Sequence, residues 1–396
     1  MPALESDATF GIDPYGFAQT HLSGPARDAL GALQRTLDSE IRPLLADAWD
    51  SATMPAEVWE KLGPLDLMRP AGVSDAEARS SMFSGFRNYV LARTDVSVAT
   101  LYNAQSGLFR TTVALGGSAE QAARLDPLIA SFRLTGTFAL TEPDHGSDIA
   151  GGMETTARRD GDDWIISGAK RWIGAAAAVD TLAVFARDSD TGDVLAFLVP
   201  RRSPGVTVTP IEGKIALRPM QNAAIRLDDV RVPETDRLQN VRGWRDVARI
   251  LRAMRSDVAW IATGLQAGAL DAAVRYTRER TQFGRPVAGF ALVQEKLARI
   301  LGNLTSSLGM VVQLSARQDA GEFADENSAL AKMQTALLAR RSVALAREVC
   351  GGNGLLLEHG VARFFADAEA VYSYEGTHEI TALIVGRALT GESAFV

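Results

Sequence analysis

The 396-residue chain holds a single cysteine, Cys350, so no intrachain disulfide can form. That usage fits a reducing cytoplasm. Histidines are also few: His21, His145, His359 and His378. With one thiol to join them, a zinc site of the usual ligand type is not expected. No run approaches the ~18 apolar residues of a membrane-spanning helix. The N-terminal "MPALESDATFGIDPYG" shows neither the basic leader nor the apolar stretch of a signal peptide. A net charge of −7 disfavours nucleic acid as a partner, because phosphates select a basic surface. G-x-G-x-x-G, Walker, H-E-x-x-H and nucleophile-elbow signatures are absent. The expectation is a cytoplasmic protein without metal, nucleic acid or membrane span.

With 46% hydrophobic residues, the chain can bury a sizeable core. At ~150 residues per domain its length suggests two or three units. Residues 1–132 read as a helical domain. In "PARDALGALQRTLDSEIRPLLADA", Leu30, Leu33, Leu37, Ile41 and Leu44 recur at helical spacing. Residues 133–240 read as a small antiparallel β domain. "METTARR" and "WIISGAKRWI" flank a turn containing Gly161, and "TLAVFARD" and "VLAFLVP" flank one containing Gly192. "GVTVTPIEG" and "AAIRLDDVRVP" supply two more strands. Residues 241–396 return to helical period, where Leu297, Ile300, Leu301, Leu304, Leu308 and Val311 predict the core stripe of a bundle. Clustered strands also disfavour a nicotinamide-binding Rossmann unit.

Several stretches carry chemistry or simple punctuation. "FALTEPDHGSD" ends a strand in a loop whose backbone N–H groups and hydroxyl suit a phosphate, or it is a surface turn. Trp172 in "GAKRWIGAA" offers an indole to a planar ring, or fills a core. "RERTQFGRP" places Arg280 and Phe283 in a helix-ending turn, and "CGGNG" permits close backbone approach. Then "YEGTHEI" sets one carboxylate, Glu375, in a glycine-flanked turn.

In order and wording these motifs resemble the acyl-CoA dehydrogenase family from about residue 80 to the C-terminus. "IEGKIALRPM", "YEGTHEI" and "LIVGRALTG" are most similar to its glutaryl-CoA dehydrogenase branch. The resemblance implies a mainly α fold with a central β domain: a helical N-terminal domain, a small β domain and a C-terminal helical bundle. It implies non-covalent FAD, an acyl-CoA or acyl-carrier-protein substrate, electron-transferring flavoprotein as acceptor and a homotetramer or dimer. Carried over, Phe138, Leu140, Thr141, Gly146 and Ser147 meet the cofactor, with Ser147 at the pyrophosphate. Trp172, Ile173 and Gly174 flank the flavin ring. Arg280, Phe283, Gly351 and Gly352 reach a neighbouring subunit's FAD, and Thr377 contacts FAD. Ala99, Ser147, Arg255, Tyr374 and Gly376 fall on the substrate side.

Flavin-linked α,β-dehydrogenation needs a base for the α-proton, and a carboxylate in an apolar pocket has its pKa raised to a useful value. Glu375 is that candidate, and Thr377 is expected to cap the following helix. The alternative base position in related branches is Met254 here, which cannot take a proton. Four further departures bear on specificity and on FAD. Ala99 and Ala92 stand where the glutaryl branch has its carboxylate-binding arginine and a glutamate. Gly174 replaces a threonine beside flavin N5, and Ala291 replaces a glutamine that helps hold FAD. A free substrate carboxylate without a cation is costly, so a substrate other than glutaryl-CoA is expected. Gly174 suggests open space near N5, which keeps a flavin monooxygenase or other oxidase on the same fold as an alternative, beside a catalytically silent scaffold.

Overall fold

The computed structural model describes residues 4–394, and the chain falls into two compact units. Among the described residues, a helical unit comprises those through Ala99, Ile215–Pro219 and those from Arg255 on; a sheet unit comprises Thr100–Lys214 and Met220–Met254.

In the helical unit, helix α1 (Gly24–Thr36) starts where Ser23 Oγ accepts from Ala26 N, 3.2 Å, with Pro25 in its first turn. Leu30, Leu33, Leu37 and Ile41 are all buried, as their spacing predicts. The last member of that face is corrected: Leu45, not Leu44, is buried. A π turn at Leu37–Ile41 and a 3₁₀ turn at Arg42–Leu44 break the regular period and rotate the face by one residue.

Helices α2 (Ser81–Thr94) and α3 (Val96–Asn103) follow. Helix α4 (Trp244–Glu279) passes from the sheet unit into the helical unit at Arg255. Gly264 lets α4 approach α2 closely, since a Cβ there would collide with the Tyr89 carbonyl. Then come α5 (Ala291–Asp319), α6 (Asp325–Val349), α7 (Val361–Ser373) and α8 (His378–Thr390). Helix α6 packs against α5, α7 and α8, and its buried residues are mostly small: Ser328, Ala329, Thr335, Ala336, Ala339, Ser342 and Ala346. Lys332 is the exception. On α5, Ile300, Leu304, Leu308 and Val311 are buried, whereas Leu297 and Leu301 are only half-buried at the stripe's edge.

The sheet unit holds β1 (Gly136–Ala139), β2 (Thr156–Asp160), β3 (Asp163–Ile173), β4 (Thr181–Asp188), β5 (Val194–Pro200), β6 (Val206–Pro210) and β7 (Ala223–Pro233). They run in the order β1-β4-β2-β3-β7-β6, with β5 on β4. Hairpins β2–β3 and β4–β5 turn through Gly161 and Gly192, whose φ angles are 63° and 78°. The pairings β1–β4 and β2–β4 are parallel. Phe109, Ile129, Phe185, Ala196, Val247, Ile250 and Met254 share the unit's core. Among the described residues no helix is long and apolar enough to cross a membrane.

Candidate functional site

In the sheet unit, two motifs distant in sequence lie side by side. Arg171 N donates to Thr141 O at 2.8 Å, and Thr137 Oγ1 donates to Gly174 O at 2.7 Å. The end of β1, carrying Phe138, Leu140 and Thr141, therefore adjoins the end of β3, carrying Trp172, Ile173 and Gly174. Leu140 and Ile173 bury their side chains in the unit, Phe138 is half-buried, and Gly146 and Ser147 are exposed further along the loop.

That loop is held by an ion pair without solvent access. Lys170 Nζ donates to Glu142 Oε1 at 2.7 Å and to Leu140 O at 3.0 Å. Glu142 also accepts from Glu154 N, 2.6 Å, and Thr155 N, 3.0 Å. Burial works against its charge, but Lys170 and these amides together hold Glu142 below the usual carboxylate range. Burial pulls Lys170 down to about 8, with Glu142 opposing. Both residues belong to the quoted motifs, "LTEP" and "GAKRWI", and they fix the loop itself.

Trp172 sits at a break in the β3–β7 register between Lys170 and Ile173, with φ 63°. Its indole is 53% exposed, beneath the Arg171 guanidinium 5.6 Å from the ring centroid. The reading of Gly174 as open space is corrected. A Cβ there would lie 2.5 Å from Met220 Cε, so the Met220 side chain already fills that volume.

In the helical unit, α4 ends at Glu279 and Arg280 leads into a miniature hairpin of β8 (Thr281–Gln282) and β9 (Arg285–Pro286). Its two loop residues, Phe283 and Gly284, have φ of 51° and 77°. Phe283 is 93% exposed, edge-on to Phe290. Packing within this chain does not account for that placement. The "GGNG" turn forms a 3₁₀ helix, Gly351–Leu355, tied to α4 by Asn353 Nδ2 donating to Tyr276 Oη at 2.9 Å. A Cβ at Gly351 or Gly352 would meet nothing within 4 Å, whereas Gly354 is packed on Arg347 O. The first two glycines thus leave backbone open to an approaching group. Ala291, at the start of α5, is exposed.

Between α7 and α8 the chain turns through Tyr374, Glu375 (φ 51°), Gly376 (φ 93°) and Thr377. Thr377 Oγ1 accepts from Ile380 N at 3.2 Å, the cap expected from the sequence. Tyr372 and His378 stack across the turn, ring centroids 4.7 Å apart. Lys332 Nζ, from α6, donates to Tyr372 O at 2.9 Å and Gly376 O at 2.6 Å. The Glu375 carboxylate accepts no hydrogen bond among the described residues, and its amide N–H donates none. Burial pushes Glu375 up to about 8, and nearby Asp257 adds to that rise, while Lys332 and Arg255 oppose it. Burial also raises Asp257 to about 6, opposed by Arg87. Arg255 Nη1 lies 3.7 Å from Asp325. Ala99 and Ala92 are fully buried, and the neighbouring charges are used internally: Arg93 pairs with Asp271 at 2.6 Å, and Asp95 accepts from Trp49 Nε1 at 3.2 Å.

Sequence reasoning did not single out Lys332, Asp257, Glu142 or Lys170. The signal for Lys332 was present: a lysine within a buried stripe of Ala329, Thr335, Ala336 and Ala339 is a charge at a core position.

An exposed indole at a strand end, an exposed aromatic hairpin tip, a loop hydroxyl at Ser147 and unfilled glycine backbone suit a planar ring and a pyrophosphate. Separately, the helical unit holds a half-buried carboxylate of raised pKa, and each of these features is of a kind that flavoenzymes use. Models of the acyl-CoA dehydrogenase N-terminal, middle and C-terminal domains match residues 26–133, 137–230 and 241–390. The chain is 33% identical over 361 residues to the probable acyl-CoA dehydrogenase YngJ of Bacillus subtilis, covering 88% of this chain and 94% of that protein. Glutaryl-CoA dehydrogenase from Mycobacterium smegmatis has a similar structure, with TM-score 0.88, 34% identity and coverage of 96% and 97% of the two chains. A second glutaryl-CoA dehydrogenase from that organism, in complex with FADH2, superposes with TM-score 0.89 at 30% identity over 96% and 97%. The chain belongs to the acyl-CoA dehydrogenase family, with that family's fold; it is a flavin oxidoreductase and its cofactor is FAD.

Proposed function

We propose that this protein removes the α and β hydrogens of an acyl thioester, with Glu375 as the base. The observation that carries this reading is the Glu375 carboxylate: half-buried, without a hydrogen-bond donor, raised by desolvation to about 8 and fixed in a stapled turn. In its ionised form such a group is a stronger acceptor of a proton from a weakly acidic C–H than an ordinary carboxylate. The Glu375 N–H, which has no described partner, is free to stabilise the thioester oxygen as negative charge develops there. Bound FAD supplies the acceptor for the hydride that leaves the β-carbon. Phe138, Leu140, Thr141, Gly146, Ser147, Trp172, Ile173, Gly174 and Thr377 would hold that cofactor, and Arg280, Phe283, Gly351 and Gly352 would reach a neighbour's in a homotetramer or dimer. Leu140 and Ile173 would do so through backbone, because their side chains are buried. Ala99, Arg255, Tyr374 and Gly376, and in the sheet unit Ser147, would fall on the substrate side by the family resemblance. Met254 is core, 1% exposed, and offers no second base.

The substrate is a neutral short or medium acyl group on CoA or a carrier protein, with electron-transferring flavoprotein as acceptor in the cytoplasm. Glutaryl-CoA is disfavoured despite the likeness to glutaryl-CoA dehydrogenases, since buried Ala99 offers no cation to a distal carboxylate. With Met220 filling the volume beside Gly174, the feature that favoured a monooxygenase is gone. Anaerobic bleaching of bound flavin by a panel of acyl-CoAs tests the reading: a dehydrogenase bleaches without NADPH, and no bleaching by any thioester overturns it. Carbon dioxide release from glutaryl-CoA at the rate of the best substrate overturns the specificity.

A further inference from the structure

One buried cation, Lys332, is used by neither the cofactor nor the substrate assignment. Lys332 has no exposed surface and forms no ion pair among the described residues. Its ammonium group instead spends two hydrogen bonds on backbone carbonyls. One carbonyl, Tyr372 O, belongs to the last turn of α7, where helix geometry leaves carbonyls without intrahelical partners. The other, Gly376 O, lies just beyond Glu375. The two anchor points bracket the residue they leave free.

We infer that Lys332 is a positioning residue for dehydrogenation: it pins the Tyr372–Gly376 segment in the conformation that presents the Glu375 carboxylate. This rests on the reading of Glu375 as the base. The backbone at that point needs an external hold, because Glu375 sits at φ 51°, a region a side-chain-bearing residue adopts only when its surroundings enforce it. An ammonium group does so without binding the base. A direct Lys–Glu hydrogen bond would draw Glu375 down, as Lys170, together with two backbone amides, draws Glu142 below the usual carboxylate range. By bonding carbonyls, Lys332 stays near Glu375 as a charge only. The charged and titratable groups around that carboxylate are Arg255 and Asp257 from α4 and Lys332 from α6, with Glu379 of α8 acting on Lys332, Arg87 of α2 beside Asp257 and Asp325 beside Arg255. Lys332 and Arg255 favour ionised Glu375, and Asp257 opposes it. Loss of the Lys332 charge therefore moves the carboxylate's titration to higher pH.

The test uses FAD-loaded full-length protein and whichever of butyryl-, isobutyryl- and octanoyl-CoA reduces the wild-type flavin fastest. Anaerobic flavin reduction is followed by stopped flow from pH 6 to 10 in Lys332→Met and Lys332→Gln, beside Glu375→Gln. Lys332→Met is expected to bind thioester within about three-fold of wild type. Its limiting rate at high pH falls at least roughly ten-fold, the loss expected of a misplaced proton acceptor, and its profile shifts to higher pH. Lys332→Gln, which keeps one donor but no charge, recovers part of the limiting rate and none of the pH shift. It also serves if the methionine variant does not fold. A lower melting temperature with unchanged limiting rate and profile would show that Lys332 only stabilises the fold, and the inference would fall. Near-normal reduction by Glu375→Gln would instead overturn the reading of the base, and the two failures are separate.

Discussion

Lys170 in the sheet unit and Lys332 in the helical unit are both fully buried, both near a glutamate and both pulled down to about 8 by burial. Their glutamates nonetheless end in opposite states. Glu142 receives the Lys170 ammonium at 2.7 Å and two backbone amides, and is held ionised. Glu375 receives none of these, because Lys332 spends its hydrogen bonds on Tyr372 O and Gly376 O. Attraction through space alone does not offset burial and the Asp257 charge, so Glu375 rises to about 8. The identity of the pair does not decide the chemistry. Where the donors point does: in one unit they hold the glutamate ionised, in the other they leave its carboxylate raised and without a donor, as the proposed base requires.

The comparison is broken most severely at Glu375. Glu375→Gln keeps size and polarity but removes the proton acceptor, and flavin reduction should fall by ~10²- to 10⁴-fold while FAD and thioester still bind. Stopped-flow reduction without oxygen measures this step alone. The counterpart change, Glu142→Gln, strips the buried Lys170 of its counter-ion. It should cost ~3–5 kcal/mol of stability, read by denaturant unfolding, and FAD should be lost as the Thr141–Ser147 loop loosens. A stability change within ~0.5 kcal/mol would mean that the pair is dispensable.

Arg280→Ala tests the proposed contact of Arg280 with a neighbouring subunit's FAD. Loss of a charge-assisted contact should weaken FAD retention by roughly ten-fold, measured by flavin release on dilution. Unchanged retention would remove Arg280 from the cofactor site.

The smallest effect is also the sharpest contrast, because the two glutamates have opposite pH signatures. Glu142 is depressed when folded, so its contribution is present above the unfolded carboxylate pKa and lost as pH falls through the folded one. Glu375 is raised, so its contribution is full below the unfolded pKa and lost as pH rises through about 8. Accordingly Glu375→Gln should raise the melting temperature by a few degrees at pH 9 and leave it unchanged near pH 4.5. The penalty of Glu142→Gln should shrink on acidification.

Much of this arrangement was legible in the sequence, and the rest was hidden for definite reasons. Strands β2 to β5 announced themselves because each hairpin closes through a local turn, at Gly161 and Gly192, and hydrophobic alternation is a local property. The parallel pairings of β4 with β1 and β2 join segments far apart in sequence and leave no local mark. The rotation of the buried face from Leu44 to Leu45 came from a single π turn, which periodicity cannot anticipate. Motif wording pointed to Glu375, whereas Lys332 acts through backbone carbonyls supplied by another helix, and only the fold brings them together. Gly174 shows the opposite limit: a missing side chain reads as space until Met220 is found in it.

The central claim is that desolvation, without a hydrogen bond, raises Glu375 so that it acts as a strong base as it ionises near pH 8. The pH dependence of anaerobic flavin reduction by the best acyl-CoA, taken as rate over thioester affinity, tests it most directly. The rate should climb with pH through a midpoint near 8, the value set for Glu375 in the free protein, and that climb should be absent from the residual rate of Glu375→Gln. A profile flat from pH 6 to 10, or a midpoint retained in the glutamine variant, would contradict it.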